Sequence, residues 1–262
     1  MRLSSANINI MIKACRKASK VLIRDFGEIE KLQVSIKGPG DFVSASDKKV
    51  EKILIEELQK ARPTYSILSE EIGKINNDDS FKWIIDPIDG TSNFLHGVPH
   101  FAISVGLEHN QEIICGIIYD PIKDEMFFAE KGNGAYLNNQ RIRVSSRSKL
   151  NNCMVVTGGP RRDSNEREKV IEEYKKFSST VDIPIRKMGS AALDMAYVAA
   201  GRFDGFWQRN LSHWDVAAGI IIVKEAGGFV TDFSGNNKYV EKKTILVTNS
   251  KINEEMIKVL NN

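Results

Sequence analysis

The chain has 262 residues, 42% of them hydrophobic, with 37 Lys and Arg against 34 Asp and Glu, a net charge of +3. So slight a basic excess argues against a dedicated nucleic-acid binder, and so ample an apolar fraction excludes a disordered charged chain. The longest apolar run, Val216 to Val223, falls far short of the roughly 20 residues that cross a bilayer; with no signal-peptide core and three scattered cysteines, a reduced cytoplasmic protein with no membrane or nucleic-acid partner is expected.

Apolar residues at Ile8, Met11, Ile12, Cys15, Ala18, Leu22 and Phe26 recur at helical spacing and predict a first helix ending near Gly27. Lys37-Gly38-Pro39-Gly40-Asp41 then reads as a mobile loop. Ser46-Asp47 opens a second predicted helix with Val50, Ile53, Leu54 and Leu58 inward. From Tyr65 the pattern changes to short strands at Tyr65–Leu68, Lys82–Ile85, Phe101–Leu107, Glu112–Tyr119 and Glu125–Ala129. Turns at Glu108–Gln111 and Asn138–Gln140 predict hairpins and an antiparallel sheet. After residue 150 strands near Met154–Thr157, Phe206–Gln208, Gly228–Thr231 and Thr244–Thr248 alternate with helices near Asn165–Phe177, Ala191–Ala200, Trp214–Ala226 and Asn253–Val259. The division expected is an α+β part over 1–150 and an α/β part over 151–262, joined as one unit.

The chemistry concentrates in Trp83-Ile84-Ile85-Asp86-Pro87-Ile88-Asp89-Gly90-Thr91-Ser92-Asn93-Phe94. An apolar strand runs into two aspartates three residues apart, and Pro87 stiffens the turn between them. Carboxyls so close repel unless a cation lies between them. Oxygen ligands select a hard ion, magnesium before zinc, and Gly90-Thr91-Ser92 offers backbone N–H groups to an anion. Glu70-Glu71 follows another strand, and Asp215 opens a long apolar helix. Taken singly these have ordinary explanations: solvated loop charge, an Asx turn, or helix caps of the Ser44-x-x-Asp47 and Ser212-x-x-Asp215 kind. Their joint presence favours a site.

Asp86-Pro-Ile-Asp89-Gly-Thr91-Ser-Asn-Phe94 and Trp214-Asp215-Val-Ala-Ala-Gly219 through Glu225-Ala-Gly-Gly228 resemble the two signatures of the inositol monophosphatase family, the lithium-sensitive, magnesium-dependent phosphatases. Ser46-Asp47, Ser69-Glu70-Glu71 and Gly189-Ser190-Ala191 fall at matching places, and the likeness runs from the first helix to about residue 248. The resemblance implies an alternating αβαβα layered sandwich of the sugar-phosphatase type, combining α+β and α/β parts and usually a homodimer. It implies Mg2+ held by Glu70, Asp86, Asp89, Asp215 and the Ile88 carbonyl. Glu70, Thr91 and Asp47 would orient and deprotonate the attacking water, with Asp47 bonded to Thr91. Gly90 and Thr91 would hold the phosphate, and Asp89, Ser92, Gly189, Ser190, Ala191, Gln208 and Asp215 would complete the substrate site. The reaction implied is direct hydrolysis of a small phosphorylated polyol or sugar by magnesium-activated water.

One departure bears on the substrate. Where many members carry a glutamate that meets the inositol hydroxyls, this chain has Gln208. Inositol 1-phosphate leads; adenosine 3′,5′-bisphosphate, histidinol phosphate, fructose bisphosphate or a non-catalytic binding role are the alternatives. Other candidates read as structural. His96 and His100 are separated by Gly97 and Pro99, so they share no helix to hold zinc. Cys15 and Cys115 sit among apolar residues and read as buried. Arg161-Arg162 reads as exposed loop charge, and Gly132-x-Gly134 lacks the rest of a dinucleotide fingerprint.

Overall fold

The computed structural model describes residues 5–28, 34–38, 41–159 and 166–261. The predicted first helix is α1 (Ala6–Phe26). Ser5 caps it by accepting the Ile8 N–H at 3.3 Å, and it stops at Gly27. Two short antiparallel strands follow, β1 (Val34–Gly38) and β2 (Asp41–Ser44), where a loop was expected; Pro39 and Gly40 lie outside the described residues. Helix α2 (Ala45–Ala61) starts one residue before Ser46, because Ser44 is its cap. Ser44 Oγ accepts the Asp47 N–H, and Asp47 Oδ2 accepts the Ser44 N–H at 2.8 Å.

Next come β3 (Tyr65–Ser69), β4 (Gly73–Ile75), β5 (Asp78–Asp89), a single turn of helix α3 (Thr91–Leu95), β6 (Ala102–His109), β7 (Glu112–Asp120), β8 (Glu125–Glu130), β9 (Gly134–Leu137) and β10 (Gln140–Ile142). Among the described residues these strands form an eight-stranded sheet, ordered β10-β9-β8-β7-β6-β5-β3-β4. It is antiparallel except for β3 beside β5. The predicted turns are present: Asn110, Gln111 and Asn138 adopt positive φ between paired strands.

The remainder comprises β11 (Val155–Thr157), α4 (Arg167–Thr180), β12 (Ile185–Arg186), α5 (Ala191–Ala199), β13 (Gly205–Arg209), α6 (His213–Glu225), β14 (Phe229–Thr231), α7 (Tyr239–Lys242), β15 (Thr244–Thr248) and α8 (Asn253–Asn261). Its strands form a mixed sheet, ordered β12-β11-β13-β15-β14.

Strand alternation sorts the core into layers. On the first sheet Ile117 faces the cluster under α1 and α2 (Met11, Leu22, Val50, Leu54), whereas Ile118 faces α5 and α6. On the second sheet Val156, Phe206 and Val247 face those same two helices, whereas Val155, Trp207 and Leu246 face Phe177 of α4 and Met256 of α8. The order is therefore helices, sheet, helices, sheet, helices, as the αβαβα expectation had it. Covered on both sides, α5 and the 215–223 run of α6 are buried around their whole circumference and, apart from Asp194 and Asp215, carry no charged residue.

Helix α6 lies unusually close to its sheet. Gly106 and Gly116 face each other across β6 and β7. A Cβ on Gly116 would stand 2.7 Å from the Ala218 carbonyl oxygen, and one on Gly106 would stand 3.0 Å from the Ala217 Cβ. The glycine pair and the small helix residues thus form a seat that sets the depth of α6, and with it Asp215.

Candidate active site

A regular strand points residues three apart to opposite faces. Asp86 and Asp89 escape this because β5 bulges against β6: Asp86 opposes Ser104, Asp89 opposes Ala102, and Pro87 and Ile88 lie between. Pro87 has no N–H to give the ladder, so the disruption falls where a bond is missing anyway. Asp86 Oδ1 then accepts the Ile88 N–H at 3.0 Å. Asp86, Asp89 and Asp215, all buried, bring one carboxyl oxygen each within 4.8 Å of one another.

Each aspartate is held from a different element. Asp89 Oδ2 accepts the Ser190 hydroxyl and the Ala192 N–H at 2.7 Å, so it caps α5 while standing at the end of β5. Asp215 Oδ2 accepts the Ser212 N–H at 2.7 Å in the first turn of α6. Glu70 follows β3, its N–H donated to the Ile85 carbonyl at 3.2 Å. Burial, then Glu70, Asp89 and Asp215, push the Asp86 carboxyl well above the usual carboxylate range. Burial likewise lifts Asp89 to about 6, against the pull of Ser190 and Ala192.

Asp47 adjoins this cluster. It is buried, its Oδ2 is spent on the α2 cap, and its Oδ1 lies 3.2 Å from the Thr91 hydroxyl. Burial raises it to about 6. The Thr91 hydroxyl has a second acceptor, the Ile88 carbonyl at 2.9 Å, so one proton has two destinations. Gly90 caps α3 at φ +98°. A Cβ there would come within 3.1 Å of the His100 carbonyl and 3.3 Å of the Gly189 carbonyl, so the close approach of these two segments to the end of β5 needs glycine.

The structure thus gathers Asp47, Glu70, Asp86, Ile88, Asp89, Gly90, Thr91, Ser190 and Asp215 through these contacts. Gly189 stands against the Asn93 side chain, Ser190 caps α5, and Ala191 opens it. Ser92 is exposed on α3. Gln208 is half-buried on β13 and lies flat on Gly158, whose Cβ would meet its amide carbon at 2.1 Å. Its described contact is therefore with the loop after β11, not with the aspartates. Arg161 and Arg162 lie outside the described residues. His96 caps the end of α3, and His100 is buried against Tyr197. Cys15, Cys115 and Cys153 are free and buried, with thiols pushed up to about 12 chiefly by burial.

Three buried or bridging polar residues escaped the sequence reading. Asn93 donates 2.8 Å bonds to the His100 and Met188 carbonyls and so ties α3 to the segment carrying Ser190. Asp194, on α5, is buried with no hydrogen-bond partner on Oδ1, and burial and Asp89 raise its carboxyl well above the usual range. Glu51 is buried on α2 one turn beyond Asp47. An acid on the apolar face of a predicted helix was the available signal for both Glu51 and Asp194.

A layered sandwich that drives carboxyls from separate elements into one buried cluster, beside glycine-rich backbone, defines the phosphoric monoester hydrolases of the sugar-phosphatase type. Comparison with known proteins gives the family. The profile of the inositol monophosphatase family matches residues 5–262. An inositol-1-monophosphatase of Rhizobium meliloti is 49% identical over 98% of this chain and 96% of its own length. A protein of Pseudomonas aeruginosa named Nus factor SuhB is 41% identical over 93% of this chain and 92% of its own. The crystal structure of the extragenic suppressor protein suhB from Bartonella henselae superposes with a TM-score of 0.94 at 48% identity, covering 98% of this chain and 99% of that one. The chain belongs to the inositol monophosphatase family.

Proposed function

We propose that the protein is a magnesium-dependent phosphatase of small polyol or sugar monophosphates, with inositol 1-phosphate as its lead substrate. The observation that carries this reading is the buried trio Asp86, Asp89 and Asp215 within 4.8 Å. Its donor set fits a hard cation: the atoms are all oxygens, and burial with mutual repulsion has raised Asp86 and Asp89, the condition a bound dication relieves. Glu70, Asp86, Asp89, Asp215 and the Ile88 carbonyl would hold it. When bound, magnesium neutralises phosphate charge and lowers the pKa of water.

The residues of the chain would do the rest. The Gly90 and Thr91 N–H groups would orient the phosphate oxygens. The Thr91 hydroxyl would pass its proton to Asp47 Oδ1 and accept a bond from the attacking water, with Glu70 on the same water. At about 6, Asp47 suits a base working near neutral pH. Asp89, Ser92, Gly189, Ser190, Ala191, Gln208 and Asp215 would bound the leaving group, Gln208 serving as a neutral hydrogen-bonding side chain. The name of the Rhizobium relative supports the inositol substrate. A cytoplasmic homodimer inhibited by lithium completes the proposal.

The test is phosphate release from inositol 1-phosphate, fructose 1,6-bisphosphate, histidinol phosphate and adenosine 3′,5′-bisphosphate, with magnesium or EDTA, and with or without lithium. Metal-dependent release, greatest from inositol 1-phosphate, is expected. Asp86→Asn and Asp215→Asn should each lower turnover roughly 10²–10⁴-fold while remaining folded. No metal-dependent release from any ester, or wild-type turnover in either variant, overturns the reading.

A further inference from the structure

Glu51 has the contacts of a residue that acts through another. It lies on the buried face of α2, four residues after Asp47, and only 1% of its surface is exposed. A single oxygen, Oε1, accepts from the Ser69 hydroxyl, from the Glu71 N–H at 3.0 Å and from the Ile72 N–H at 3.3 Å. The three donors bracket Glu70 in sequence. On its other side the turn is tied to β5, since the Glu70 N–H donates to the Ile85 carbonyl at 3.2 Å, one residue before Asp86. The Glu70 backbone is therefore fixed between α2 and β5, and its carboxyl is near enough to Asp86 to raise it.

We propose that Glu51 is a positioning residue that sets the Glu70 carboxyl against Asp86 and so tunes the metal affinity of the site. This rests on the metal-dependent reading above. Through one helix turn the same element holds Asp47 toward Thr91 and Glu51 under Glu70, so α2 places both acids assigned to the attacking water. Without Glu51, the Glu71 and Ile72 N–H groups would lose this acceptor and the Ser69 hydroxyl would keep only the Ile85 carbonyl at 3.5 Å, so the turn would move to find others. Glu51 touches no reacting atom, so its effect appears in the metal site.

Mn2+ binding measured by titration calorimetry without substrate tests this, alongside metal activation, kcat and KM. Glu51→Leu keeps the volume and removes the acceptor; it should weaken Mn2+ binding about 10- to 100-fold, the usual scale for a partner that orients a ligand. It should lower kcat at subsaturating metal and leave the substrate KM nearly unchanged at saturating metal. Glu51→Gln, which keeps an acceptor oxygen, should restore most of the affinity. In a Glu70→Gln background, Glu51→Leu should have no further effect on Mn2+ affinity, which a merely structural role would not predict.

Folded Glu51→Leu with Mn2+ affinity within about twofold of wild type, or an equal loss in the Glu70→Gln background, overturns the proposal. If Glu51→Leu does not fold, Ser69→Ala carries the same two readings through one of the three bonds. A wild-type protein that binds no Mn2+ overturns this proposal and the metal-dependent reading together. One that binds Mn2+ but hydrolyses no ester overturns the phosphatase reading alone.

Discussion

Asp47 and Asp215 each combine a helix cap with a place in or beside the acidic cluster. Their spacings, Ser44-x-x-Asp47 and Ser212-x-x-Asp215, read singly as helix caps and only jointly as members of a site; the caps are present, and the same side chains reach Thr91 and the Asp86–Asp89 pair. One oxygen accepts the backbone N–H of its own cap, at 2.8 Å and 2.7 Å. Asp47 then offers its other oxygen to Thr91, and Asp215 joins Asp86 and Asp89. Capping here positions a candidate site residue, because the cap bond fixes the side-chain rotamer. Gln208 is a different case: its type and position were legible, but the Gly158 beneath it was not, since that contact joins β13 to the loop after β11, distant in sequence. It gives two linked tests of specificity. Gln208→Glu should raise kcat/KM for inositol 1-phosphate relative to other esters. Gly158→Ala should change the same ratio by displacing the amide, at a stability cost of no more than about 1 kcal/mol because the displaced group is the end of a flexible side chain. Unchanged ratios in both variants would place specificity elsewhere.

At the scale of elements, the legible ones were those with enough length to show a period. The stripe of α1, the largely apolar α5 and α6, and the long strands of the first sheet were located to within a few residues. Strands β1, β2, β4 and β12 and helix α7 run two to five residues each, too short for a period, and are held by their partners rather than by their own pattern. The bulge in β5 was half legible. Pro87 marked an irregular strand end, but only pairing with β6 shows that it turns two aspartates of opposite parity toward one cluster. The seat of α6 was not legible at all, because Gly106 and Gly116 meet only through strand register. That seat makes a prediction that joins packing to chemistry. Gly116→Ala puts a methyl 2.7 Å from the Ala218 carbonyl, a backbone atom that can yield only if the helix lifts. Overpacking of this kind costs about 1–3 kcal/mol, and the lift should move Asp215 away from Asp86 and Asp89. Urea unfolding should show the loss, and a magnesium titration should show half-maximal activity at higher metal concentration. A variant that loses stability but keeps its metal dependence would separate the seat from the site.

Over the whole molecule, the net charge of +3 conceals a strongly acidic interior, since the cluster draws its acids from four places between residues 47 and 215. Folding the metal-free chain forces these acids together, and the stability of the apoprotein should record it. Asp47 and Asp89 are raised to about 6, and Asp86 and Asp194 well above the usual range, whereas their unfolded counterparts titrate near about 4. The folded apoprotein therefore binds more protons than the unfolded chain, and its stability falls as pH rises from about 4 through these raised values. His100, lowered to about 4 by burial, and His213, also lowered by burial, act in the opposite sense, but only below about pH 7, where an unfolded imidazole takes up a proton. Above about pH 7 the histidines no longer oppose, and Asp47 and Asp89, at about 6, are already almost fully ionised, so the acids left to act are Asp86 and Asp194, which burial raises well above the usual range. In EDTA, Tm should rise as pH is lowered from about 8 to about 7, by about 2–4 °C for each kcal/mol gained. Asp194→Asn, which removes a buried titrating group, should flatten the rise. Saturating magnesium should lift Tm more at pH 8 than at pH 7, because the cation competes with protons for the same oxygens. An apoprotein Tm that is level or falls over this range would mean that the cluster carries its negative charge at no cost to folding, and that the metal is not needed to relieve it.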